Sequence, residues 1–147
     1  MVPSVALVLN GLARTMLMDL LPQAGHAYGA QTLQLGAALA MMCAQEFDRA
    51  ADRLARENAA LLRLFAGAAP QVGDAALRAD LQRAAGEESD SLLVSTLQQR
   101  NSVLRELLIR LHAHVESLGE PARELDARIW AELVESTARR RLDMAMA

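Results

Sequence analysis

The sequence predicts an all-α protein, an up-and-down helical bundle of four main helices and one short connecting helix. Three observations carry this. The first is composition: of 147 residues, 52 % are apolar, with Ala and Leu dominant, and only 3 % are aromatic. Ala and Leu are strong helix formers, whereas strands draw on the β-branched and aromatic residues that are scarce here. The second is a long apolar seam: Leu33, Ala37, Ala40, Ala44, Phe47, Ala51, Leu54, Asn58, Leu61, Phe65 and Ala68 follow one another at spacings of three and four. That spacing places them along one side of a helix. The third is a second seam with the same defect: Val94, Leu97, Asn101, Leu104, Leu108, Leu111, Val115 and Leu118.

The expected organisation is one domain over 1–147, with helices at about 4–21, 31–67, 75–85, 91–118 and 121–143. Pro3 suits a first helical turn, with Ser4 beside it. From Val5 to Leu21 apolar residues then cover nearly the whole circumference, the pattern of a helix covered on all sides. Pro22 marks its end. Gly25 and Gly29 fall in the connection that follows, where Gly permits close backbone approach.

The second helix carries the long seam and spans roughly 50 Å at 1.5 Å per residue. Its character changes at Glu46. Before it, Leu35, Leu39, Met41, Met42 and Cys43 make the back of the helix apolar as well. After it the back is charged, with Asp48, Arg49, Asp52, Arg53 and Arg56. The first half therefore needs cover on both sides, and we expect the first helix, or a second copy of the chain, to supply it.

Residues 67–73, around Pro70, break the seam, and Asp74 is placed to cap the short helix that Gly86 closes. Residues 87–91 supply caps and acidic residues for the fourth helix. Leu93, Leu107 and Ile109 widen its stripe from a coiled-coil seam toward a bundle face. Gly119 ends that helix and Pro121 opens the fifth. The run Arg139-Arg140-Arg141 suits the negative end of its dipole.

Asn58 and Asn101 occupy the seam position where a polar residue costs stability but can fix register. A buried amide needs partners, so we expect the two side chains to meet in one core layer. We derive that meeting from two long helices running antiparallel.

The sequence argues against several chemistries. All fifteen basic residues are Arg, interspersed with acids in a chain of net charge −3, so nothing resembles a basic stripe for nucleic acid. The single cysteine, Cys43, excludes an internal disulfide and reads as a small buried hydrophobe. A ferritin-like, metal-dependent bundle enzyme would need Glu-x-x-His, and the residues three before His112 and His114 are Ile109 and Leu111. His112 and Glu116 share a face, but His112 and His114 diverge on a helix. We expect no catalytic residue, no metal site and no cofactor. Asn10, Arg14 and Asp19 interrupt the first helix, which reads as neither a signal peptide nor a membrane span.

The function expected is therefore that of a cytoplasmic, non-enzymatic oligomerisation or protein-interaction module, a homodimer with a possible protein partner. An alternative is a binder of a small apolar ligand between the first helix and the long one, with His26, Tyr28, Met41 and Met42 as pocket candidates. A second alternative is the metal-dependent ferritin-like enzyme.

Overall fold

The computed structural model describes residues 3–87 and 90–142. These residues are helical with no strand among them. Five α-helices follow in order: α1 (Val5–Arg14), α2 (Ala27–Ala68), α3 (Ala75–Gly86), α4 (Val94–Leu118) and α5 (Arg123–Arg139). Two compact units divide them. Ala51–Arg141 forms one, and the described residues before it, with Leu142, form the other.

In the first unit, Ser4 caps α1 by accepting the Leu7 N–H at 3.2 Å. The coil then widens into a π-helical stretch, Thr15–Leu20, and a 3₁₀ turn, Leu21–Gln23. The sequence led us to expect one uniform helix to residue 21; the widening is marked by the Leu21 N–H bonding five residues back to Met16 O. α2 starts at Ala27 rather than 31, because the His26 ring is its cap: Nδ1 accepts the Gly29 N–H at 2.9 Å. The helix is unbroken through Glu46. The core of this unit is thin. Ala13 of α1 meets Ala37 and Ala40 of α2, flanked by Met16, Leu17 and Met41. Beyond it Leu7, Leu12, Met18, Leu35, Leu39 and Phe47 are exposed, and Cys43, expected to be buried, is exposed too.

The second unit holds the main core. Leu61, Phe65 and Ala68 of α2 pack with Leu77 and Leu81 of α3, Leu104 and Leu111 of α4, and Leu125 and Ile129 of α5. Pro70 sits in the turn that ends α2, and Asp74 accepts the Leu77 N–H at 2.8 Å to start α3. α4 begins at Val94 rather than 91: Leu93 is the capping position, without a side-chain cap, and Ser91 Oγ reaches only the Leu93 N–H. The capping role expected for residues 88 and 89 lies outside the described residues. α5 ends at Arg139, and residue 143 likewise falls outside them.

The side-chain contacts set the directions. Asn58, in the body of α2, bonds Asn101 near the start of α4, while Val72, just past the end of α2, lines one small cavity with Val115 near the end of α4, so this half of α2 and α4 run parallel. The antiparallel arrangement expected from the sequence is incorrect. The reason is α3, which climbs back along α4, with Arg110 on Asp80 at 2.8 Å, before α4 descends. α5 returns antiparallel to both, since Ser136 meets Glu57 and Arg128 lies against Gly67. The short helix is thus a full member of the up-and-down order.

Gly119, with φ 64° and ψ −137°, makes the turn from α4 into α5. A side chain is strained in that backbone region. Gly119→Ala is expected to lower stability by about 1–3 kcal/mol in urea unfolding; an unchanged midpoint would show that the turn relaxes without cost.

Candidate functional site

The most distinctive chemistry of the molecule is a buried polar cluster in the second unit. Its centre is Glu57, 1 % exposed, beside the α2 seam. A carboxylate removed from water needs paired charge and hydrogen bonds, or it protonates. Donors from three helices provide them. Arg140, just beyond α5, donates from Nε to Oε1 at 2.8 Å and from Nη2 to Oε2 at 2.6 Å. Ser136 Oγ donates to Oε1 at 3.3 Å, and Asn101 Nδ2 of α4 donates to Oε2 at 3.3 Å. Arg53, one turn earlier on α2, stands 3.9 Å from Oε1.

The two seam asparagines extend the cluster. Asn101 Nδ2 also donates to Asn58 Oδ1 at 2.9 Å, and Asn58 Nδ2 donates to the Leu97 carbonyl at 3.1 Å. Arg140 Nη2 reaches Asn101 Oδ1 at 3.4 Å, and Arg105 Nη1 reaches Ser136 Oγ at 3.4 Å. Asn58, Asn101 and Ser136 are all buried. Two-point guanidinium–carboxylate contact is the strongest side-chain pairing available here.

The electrostatics follow. Burial alone would raise the Glu57 carboxyl, but the Arg140 hydrogen bonds and charge, the Arg53 charge and the Ser136 hydroxyl outweigh it. The group is held below its ordinary 4.5. Glu132 on α5 goes the other way: burial pushes it above 4.5 despite the ion pair with Arg139. A cavity of about 10 Å³ lies between Glu57, Arg105, Glu132 and Ser136, at the lower limit for one water. That cavity is too small for a substrate, and the contacts around Glu57 tie α2, α4 and the end of α5 together.

The other candidates are dispersed. His26 caps α2, and the Tyr28 side chain is 78 % exposed. Met41 packs on the alanine core, and Met42 is half-buried beside it in sequence. The groove of the first unit, about 610 Å³ and open, is lined instead by Leu17, Leu21, Gln31, Gln34, Leu35 and Ala38. His112 Nε2 lies 3.1 Å from Asp126 and 3.6 Å from Glu116, with its ring edge-on to Trp130. His114, two residues on in α4, has its Nε2 buried without a hydrogen-bond partner. Among the described residues, no group of three or more His, Cys, Asp or Glu side chains could hold a metal ion.

Asn58 and Asn101 stand out in the sequence, whereas Glu57, Ser136 and Arg140 do not. A signal existed. The α5 apolar series Ala122, Leu125, Ile129 and Leu133 continues at the same spacing through Ser136 to Arg140. A seam that turns polar opposite another seam's asparagine calls for a carboxylate nearby, and Glu57 adjoins Asn58.

Because the folded Glu57 lies below its unfolded value, its contribution is fully present above about 4.5 and is lost as pH falls through the folded value. Removing one partner of a fully buried pair costs about 3–5 kcal/mol. The Arg140 side chain is 41 % exposed, and Arg53 remains in place, so Arg140→Ala is expected to cost about 2 kcal/mol at pH 7. The gap to wild type should narrow on acidification, as both chains come to hold a protonated Glu57. Urea unfolding at pH 7 and at pH 3.5 checks this; a pH-independent gap would show that the pair's charge is not what stabilises the fold.

No family of known proteins matches this chain, and no curated protein or solved structure was found that resembles it.

Proposed function

We propose that the chain is a non-enzymatic assembly module that associates with a second copy of itself through its first unit. The observation that carries this reading is the imbalance of that unit. Three buried alanines form its core, while large apolar side chains stand exposed on both of its helices, Leu7 at 67 %, Met18 at 66 % and Leu35 at 62 %. Large apolar side chains left exposed beside so small a core support an interaction surface here. The open groove between the π-helical stretch and the start of α2 adds a recess that an apolar side chain of another chain could fill.

A lipid surface competes for the same residues. Val5–Gln23 is long and apolar enough to cross a membrane by length and composition, and only 6 % of it is buried. Arg14 lies at the middle of that span and would cost about 2.5–3.5 kcal/mol at a bilayer centre, while Asp19 lies about one turn from its end. Against protein both charges can be paired. This favours a protein partner, and a second copy offers the same apolar surface for a self-complementary contact.

Sedimentation equilibrium at micromolar concentration should report a dimer. Leu12→Glu, at an exposed position of α1, should convert it to monomer with helix content retained by circular dichroism. A wild-type chain that stays monomeric would remove the reading. The groove also admits a small apolar ligand: a fluorescent apolar dye that binds the monomeric variant as tightly as wild type would favour that alternative.

A further inference from the structure

The exposed face of the first helical segment carries two opposite charges that the chain itself does not use. Arg14 and Asp19 are both exposed, and among the described residues neither side chain makes an ion pair or hydrogen bond. Residues five apart on an α-helix point about 140° from one another. Here the coil between them is π-helical, with the Leu21 N–H bonded back to Met16 O, and that wider coil turns positions 14 and 19 toward a common side. Leu7, Leu12 and Met18 are exposed on this segment as well. The segment is therefore an apolar surface with one cation and one anion set five residues apart, and no partner for either.

We propose that two copies pack antiparallel along this segment, Arg14 of each chain pairing with the partner's Asp19 across a two-fold axis level with Met16 and Leu17. The inference rests on the self-association reading and specifies its geometry. An antiparallel two-fold contact is self-complementary: what position 14 meets in one direction, position 19 meets in the other. It forms two equivalent ion pairs and lays each Met18 over the partner's Thr15. A parallel pairing would set Arg14 against the partner's Arg14 and Asp19 against the partner's Asp19, with no attraction to offset the repulsion. The π-helical stretch thereby acquires a role, since a regular α-helix would aim one of the two charges away from the interface.

The test uses charge reversal in the full chain, read by sedimentation velocity. Arg14→Asp and Asp19→Arg are each expected to weaken the dimer about tenfold or more, because each replaces two attractive pairs with two repulsive ones. Mixing the two variants should restore association, as each then supplies the charge the other lacks. Raising salt from low to high should weaken the wild-type dimer, whereas a parallel dimer would tighten. Should a reversal variant lose helix content, the neutral changes Arg14→Gln and Asp19→Asn, with the same salt series, carry the test. A dimer insensitive to both reversals and to salt overturns this geometry while leaving self-association intact. A wild-type monomer overturns both. A monomer that floats with phosphatidylcholine–phosphatidylglycerol vesicles overturns both and assigns the segment to a lipid surface.

Discussion

The second unit depends on keeping one carboxylate charged in its interior. Removing Glu57 from water is costly, and only groups from several helices at once can offset that cost. Ser136 and Arg140 must arrive from the α5 end, Asn101 from α4, and Arg53 from the preceding turn of α2. An apolar seam tolerates sliding by a turn, because one Leu resembles another. This cluster does not: a slip of either α4 or α5 by one turn, about 5.4 Å, would separate donors and acceptor. The hydrophobic core supplies the driving force for packing, and the polar layer selects one alignment from those the core would accept. The Asn58–Asn101 bond belongs to the same selection, since it ties the α2 and α4 registers directly.

The two units solve the burial problem differently, although α2 contributes to both. In the second unit Phe65, Leu81, Leu111 and Ile129 are wholly enclosed. In the first, alanines do the enclosing, and alanines bring helix backbones close without burying much surface. Gly36 continues the theme, with Met16 Sδ 3.3 Å from where its side chain would begin. Close approach of this kind orders two helices while leaving their larger side chains outside. The exposed leucines are thus a direct result of the small residues chosen for the contact.

Much of this was legible in the sequence. Helix content, the five segments, the Asp74 cap and the apolar character before Glu46 follow from periodicity and local chemistry, which act over a few residues. So did the importance of Asn58 and Asn101, because a polar residue at a seam position stands out against its neighbours. The direction of α4 did not. The expectation of antiparallel long helices treated 75–85 as a connector, and nothing in its eleven residues states whether it packs or merely links. Glu57 was hidden for a related reason: among Arg53, Arg56 and Asp52 it reads as one more solvated charge, and only the chain's return through α5 puts it inside. The π-helical widening at Thr15 left no mark in the apolar pattern, since every register of so apolar a stretch looks alike.

Glu57 and Arg140 are 83 residues apart in the chain, nearly the full span of the second unit. Neighbouring helices can pair as soon as a short link lets them touch, but this contact waits until the first and last helices of the unit have met. Closing a loop of that length costs about 4 kcal/mol in chain entropy when nothing else holds the ends. The clasp therefore joins the first helix of the unit to the residue just past its last, and the whole intervening chain is closed between its two halves.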